Sequence, residues 1–184
     1  MARVIEQVDP RSAPAMALLR EAALEARALY PELFAPDSPM PGNPAPGPRS
    51  VYLVAYDAHM AVGCAALRPL NERSAEVQRV YVTKAARRNG LARALMAQLE
   101  VEALVLGYTT LMLETGRRQQ PAMALYASLG YARIPAFGAY VGDETSVCFA
   151  KTINQNAPAE TSRWRRWSGG RRRSSTARRR RRAR

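Results

Sequence analysis

The chain predicts an α/β fold in which a mixed, mostly antiparallel sheet carries helices on its faces. Three observations predict it. Runs of β-forming residues alternate with two stretches of helical periodicity, at 16–30 and 91–103. Short polar turns join three successive β runs between residues 51 and 82, which makes an antiparallel meander. The last of those runs passes through a short basic turn into the longer helix, so strands and helices share one layered unit.

Taken in order, residues 4–8 (VIEQV) form a first strand, ended by Asp9-Pro10-Arg11-Ser12. Ser12 is placed to N-cap a helix, and Pro14 is tolerated in its first turn. Met16, Leu19, Ala23, Ala26 and Tyr30 follow helical spacing, and Pro31 stops the helix near Tyr30. Seven prolines and two glycines between 31 and 48 allow an irregular loop, or a short helix around 32–35 followed by one. Residues 51–56 and 60–68 are strands joined by a turn at Asp57-Ala58-His59, and 75–82 completes the meander after Asn71-Glu72-Arg73-Ser74. In the long helix Leu91, Leu95, Leu99 and Ala103 recur every fourth residue, while Arg93, Glu100 and Glu102 take the solvated face. Gly107 ends it. A strand at 109–115, a segment at 134–140 broken by Pro and Gly, and a strand at 145–151 follow.

Composition narrows the functional classes. At 184 residues the chain fits one domain with a real core. No apolar run reaches the ~20 residues that cross a bilayer, and residues 1–6 lack a signal-peptide core. Cys64 and Cys148 both fall in strands, so buried thiols are expected rather than a disulfide, which suits a cytoplasmic protein. The formal charge of +13 divides unevenly. Residues 163–184 hold twelve arginines and no acid, leaving sixteen basic residues against 15 acidic ones elsewhere. The domain is therefore expected over 1–153 and a disordered Arg-rich tail over 154–184. Through that tail alone the chain could bind nucleic-acid backbone; the alternative is an extension with no evolved role.

The strand–turn–helix unit at 76–93 aims backbone N–H groups and the positive end of a helix dipole at one spot, which suits a phosphate. Gly90 permits close backbone approach, and Arg87, Arg88 and Arg93 add charge and forked donors. The plainer reading is a common turn with solvated arginines. Here the residues Arg87-Arg88-Asn89-Gly90-Leu91-Ala92 resemble the Arg/Gln-x-x-Gly-x-Gly/Ala signature of the GNAT superfamily, the acetyl-CoA-dependent N-acyltransferases. Leu111-Met112-Leu113-Glu114-Thr115 resembles that family's next strand. The run from Ala122 through Leu125-Tyr126 to Gly130-Tyr131 resembles the helix and Gly-aromatic exit beyond it. The likeness covers roughly residues 3–153.

The resemblance implies a sheet splayed between its fourth and fifth strands, acetyl-CoA as co-substrate, and transfer of its acetyl group to a primary amine by direct attack in a ternary complex. It implies that Arg87, Arg88, Asn89, Gly90, Leu91, Ala92 and Arg93 hold the diphosphate. A backbone N–H from Val80, Tyr81 or Val82 would bond the thioester carbonyl, and Gln119, Gln120 and Ala122 would meet the pantetheine or acetyl end. Tyr126 falls where the family's tyrosine protonates the departing thiolate. Glu76 falls where some members carry a general base; others use a water chain, and Glu72 and Glu114 are weaker candidates. Residues 31–48 and 134–144 are expected to shape the acceptor site.

His59, the only histidine, lies at a turn and is not expected to act in catalysis. No metal ligands stand at ligand spacing, and no Gly-x-Ser-x-Gly elbow, P-loop or dinucleotide fingerprint occurs. The acceptor, a small molecule or a protein amine, and the choice between monomer and homodimer stay open. Two rival readings remain: a non-catalytic nucleic-acid-binding protein working through the tail, and an acyl-CoA-binding regulator with a closed acceptor site.

Overall fold

The computed structural model describes residues 3–154 and 165–166. Its elements are β1 (Arg3–Gln7), α1 (Ala13–Leu29), β2 (Val51–Asp57), β3 (Met60–Pro69), β4 (Ser74–Val82), α2 (Leu91–Val105), β5 (Thr110–Gly116), α3 (Gln120–Ser128), β6 (Ala132–Ile134), β7 (Ser146–Thr152) and the two-residue β8 (Arg165–Arg166). Single 3₁₀ turns stand at Pro31–Leu33, Lys84–Ala86 and Gly138–Tyr140. The sheet runs β6-β7-β5-β4-β3-β2-β1-β8. Antiparallel pairs dominate, with β4–β5 and β1–β8 parallel. The expected α/β architecture is present, with helices on both faces. Among the described residues no helix is long and apolar enough to cross a membrane. Apart from Asn154 and β8, the tail expected at 154–184 lies outside the described residues, as does any nucleic-acid contact it would make.

Each face of the sheet has its own core. On one, Leu91, Leu95, Leu99 and Ala103 of α2 are almost wholly buried against Leu53, Leu67, Val77, Leu111 and Leu113. The four-residue repeat in α2 is therefore its inward seam. On the other, Ala15 and Leu18 of α1 cover Tyr52, Val54 and Cys64. Here the inward face differs from the sequence expectation: Ala15, Leu18 and Leu19 are buried, while Met16, Ala23 and Ala26 are only partly covered. An alanine-rich helix leaves several seams of similar apolarity, and the one that turns Leu18 and Leu19 inward is the one buried.

Three local expectations need correction. Ser12 occupies the N-cap of α1, but its hydroxyl makes no capping bond and is buried with no partner among the described residues. Glu100 is not on a solvated face, since Lys151 Nζ reaches both its oxygens at 2.8 Å. Glu102 is half-buried and accepts from Gln98 at 2.7 Å. His59 is exposed at the β2–β3 turn, where Ala58 and His59 take φ of 49° and 70°. Both signs positive fit the tight two-residue hairpin turn that matches strand twist.

Candidate active site

The site begins where a ladder stops. β4 and β5 pair in parallel from Ser74↔Thr110 to Val77↔Leu113 and no further. Beyond that point β4 runs on to Val82 beside β3, and β5 runs on to Gly116 beside β7. The two limbs diverge into a fork whose inner edges have no partner strand among the described residues.

A bulge turns the β4 limb away. Cys64 pairs with Tyr81 but Ala66 pairs with Gln78, so Arg79 and Val80 together face Ala65. Two residues against one bends a strand and raises its twist. Arg79 takes φ 57°, and its carbonyl accepts from the Cys64 thiol at 3.2 Å. Burial pushes that thiol's pKa up to about 11, so it stays protonated and keeps donating. Past the bulge the Thr83 N–H bonds Val62 O at 3.0 Å. Antiparallel alternation then turns the polar groups of Val82 to the fork side. Its carbonyl accepts Arg87 Nε at 2.9 Å, and its N–H faces the gap.

Next comes the anion loop. Arg88 and Gly90 hold φ of 64° and 77°, and α2 starts directly after Gly90. The first helical bond is Ala94 N–H to Gly90 O at 3.0 Å, so the N–H groups of Leu91 and Ala92 precede the intrahelical ladder and point out of its positive end. Arg88, Asn89 and Gly90 are exposed at this end, and Arg93 reaches Ser128 Oγ on α3 at 2.8 Å. Arg87 is placed differently from its expected role. Its guanidinium is committed to Val82 O and, at 2.6 Å, to Glu25 of α1.

The carboxylates divide by how completely they are satisfied. Glu76 is 1% exposed. Arg68 gives its Oε2 two bonds of 2.8 and 2.6 Å, while Gln78 and Tyr140 reach Oε1 at 3.0 and 2.6 Å. Glu114 lies two residues along β5 from Met112, which pairs with Glu76, so both carboxylates share the α1 face. It is half-buried and takes one bond, from Ser146 Oγ at 2.8 Å. Burial raises its pKa, and the charges of Asp143 and Glu76 add to the rise against the Ser146 bond.

Tyr126 packs from the other face, 5% exposed, its ring 6.1 Å from Tyr131 and 6.0 Å from Phe149. Burial first, then the Glu114 charge, raises its pKa, so its proton is held firmly. Gln119 caps the start of α3, accepting the Ala122 N–H at 3.0 Å through its carbonyl, and its side chain lies 3.4 Å from Thr115 Oγ1. Sequence reasoning missed Tyr140, Arg68 and Gln78 around Glu76, Glu25 of α1, and Tyr30 at the C-cap of α1. The alternation of the meander could have put Arg68 and Gln78 beside Glu76; nothing local announces the others. Among the described residues no group of His, Cys, Asp or Glu could hold a metal.

A family profile for the acetyltransferase (GNAT) family matches residues 16–131, which contain the fork, the anion loop and Tyr126. The chain belongs to the GNAT family. As such it is an acyltransferase. An IAA acetyltransferase of Azospirillum brasilense is 36% identical over 103 residues, 55% of this chain and 67% of the relative. A Klebsiella pneumoniae crystal structure assigned to the acyl-CoA N-acyltransferases is 32% identical, covering 83% of this chain and 98% of that one, with a TM-score of 0.68. A GNAT acetyltransferase of Elizabethkingia anophelis with acetyl-CoA bound shares the fold at 13% identity and a TM-score of 0.59, covering 82% and 98% of the two chains.

Proposed function

We propose that this GNAT protein transfers the acetyl group of acetyl-CoA to a primary amine by direct attack in a ternary complex. The observation that carries the reading is the β4–β5 fork opening beside the α2 N-terminus. It offers a gap for a thioester arm and, at its end, a cluster of outward N–H groups for a diphosphate. The acetyl-CoA held by the Elizabethkingia neighbour supports the choice of co-substrate. In this reading the diphosphate is gripped by backbone N–H groups from 88–92 and by Arg88 and Arg93, while Arg87 braces the loop. Gln119 and Ala122 line the arm's path at the start of α3.

The chemistry needs a neutral amine and a stabilised oxyanion. An ammonium with a pKa near 10.4 must lose about 4–5 kcal/mol to deprotonation at neutral pH. We assign the base to Glu114 rather than Glu76, because all of the Glu76 oxygens' close partners are donors already in place, whereas Glu114 has capacity left and a raised pKa. The Val82 N–H bonds the oxyanion, where one placed donor contributes about 3–4 kcal/mol. Tyr81 and Val80 hold that strand in shape. Tyr126 donates a hydrogen bond to the departing thiolate; its raised pKa favours donation over full transfer. The acceptor enters from the α1 face, between the proline-rich loop and the 134–144 segment, and no side chain is required as a covalent carrier.

The test is calorimetric titration with acetyl-CoA, followed by a screen of amines for release of free CoA. Absence of any binding heat sinks the reading. Binding without CoA release for any amine would favour an acyl-CoA-binding regulator.

A further inference from the structure

The fork has two limbs, and both are held by the same helix. On the β4 side, the Tyr81 hydroxyl donates to Glu25 Oε1 at 2.7 Å, with Glu21 Oε2 at 3.4 Å, and Arg87 Nη2 reaches Glu25 Oε2 at 2.6 Å. Glu25 thus ties α1 to the limb that carries Val82 and to the start of the anion loop. On the β5 side, Tyr30 fills the place where a β-carbon on Gly116 would stand, its Cζ 2.7 Å from that point. The Arg118 N–H donates to Tyr30 OH at 2.8 Å, and the Arg118 side chain folds back to donate to Leu29 O at 2.8 Å and to pair with Glu32 at 2.6 Å. The guanidinium lies 5.0 Å from the Tyr30 ring centroid.

Glu25 and Tyr30 are five residues apart, about 7.5 Å along a helix axis. The Tyr30 N–H still bonds Ala26 O at 2.9 Å, so the segment between the two anchors keeps helical geometry. A stiff rod of fixed length therefore joins two strands that have no ladder between them. Near the apex on this face, Tyr140 from the 134–144 segment bonds Glu76, just before the β4–β5 ladder ends at Val77↔Leu113.

We infer that the C-terminal half of α1, with its C-cap residue Tyr30, is a strap across the mouth of the fork, and that Glu25 and Tyr30 are positioning residues that set the width open to the acyl chain. The inference rests on the fork being the thioester site. A strap of fixed span admits a two-carbon acyl group and resists a longer one, because widening the fork means breaking either the Glu25 bonds or the Tyr30–Arg118 bond. Loosening either anchor makes the fork more tolerant, and the effect appears as a change in selectivity between acyl chains.

The experiment measures the dissociation constants of acetyl-CoA and butanoyl-CoA for the full chain by calorimetry. Wild type is compared with Glu25→Gln, Tyr30→Phe and their double variant. Tyr30→Phe keeps the ring and loses only the hydroxyl, so a melting curve should show a folded protein. The preference for acetyl-CoA is expected to narrow by about fivefold in each single variant, the net effect of one hydrogen bond, and further in the double. Leu24→Ala, on the exposed side of the same helix, is expected to leave the preference unchanged. An unaltered preference in the double variant, with wild type binding acetyl-CoA normally, overturns the strap. An equal loss of preference in Leu24→Ala overturns it too, by making the effect general loosening of α1. If wild type binds neither thioester, the failure lies with the thioester site itself, and the strap falls with it.

Discussion

The Tyr140 hydroxyl donates to Glu76 Oε1 across 2.6 Å, joining the 134–144 segment to the buried middle of β4. Phe137 supports it from the same segment, edge to face with the ring centroids 5.3 Å apart. Glu76 is the anchor of this arrangement, with Arg68 and Gln78 filling its other positions. Removing a donor from a buried carboxylate leaves the charge under-satisfied, at a cost of about 1.5–3 kcal/mol. Tyr140→Phe is therefore expected to lower stability by that amount in urea denaturation, with the m-value unchanged. Glu76→Gln should destabilise as well, since Arg68 and Tyr140 both lose a charged partner. A stable Tyr140→Phe protein would show that the segment is held by other means.

Glu114 separates the two candidate bases. Glu114→Gln is expected to lower kcat by about 10²–10⁴-fold once an acceptor is in hand, a loss typical of removing a positioned base. The acidic limb of the rate profile should vanish with it. Stability gives an independent check. Burial holds the folded pKa of Glu114 above its unfolded value, so its contribution is fully present below the unfolded pKa and is lost as pH rises through the folded one. Glu114→Gln should thus be more stable than wild type at neutral pH, with the difference shrinking toward acid pH. Thermal melts across that range decide the matter; a gain that grows toward acid would contradict the assignment.

For Tyr126 the ring and the hydroxyl have different jobs. The ring packs with Tyr131 and Phe149, and Tyr126→Phe preserves it. The variant is expected to melt within a degree or two of wild type while losing kcat far more than affinity for acetyl-CoA. Tyr126→Ala should cost about 3–5 kcal/mol of stability as well. Full activity in Tyr126→Phe would confine this residue to the core.

What could be read from the chain alone follows from range. The α2 seam was legible because Leu91, Leu95, Leu99 and Ala103 repeat at a period that only a helix buries on one side. The turn after β4 was legible because Gly90 and the arginines are neighbours in sequence. Arg87 shows the limit: its type suited a phosphate, yet Glu25, 62 residues earlier, claims it in the structure. Tyr30 against Gly116 and Tyr140 on Glu76 are pairings of the same kind, made across 86 and 64 positions by the packing of separate elements. Periodicity carries no information on such pairs. Glu100 departs from the solvated-face expectation for the same reason, its partner Lys151 lying in the last long strand.

Arg88 offers a way to separate backbone shape from charge in the anion loop. It holds φ 64°, a region costly for residues with a β-carbon, and it is exposed. Arg88→Gly removes that cost and is expected to raise stability by about 0.5–1 kcal/mol. Arg88→Ala keeps the unfavourable φ and should give no such gain. Both variants lose the guanidinium that faces the proposed diphosphate, so both should weaken acetyl-CoA binding by a similar factor, about threefold to tenfold at low salt. Because that loss is electrostatic, the difference from wild type should shrink as salt rises. If the glycine variant instead bound more tightly than wild type, the loop's N–H groups would be carrying the diphosphate without help from this side chain, and its positive charge would be solvated surface.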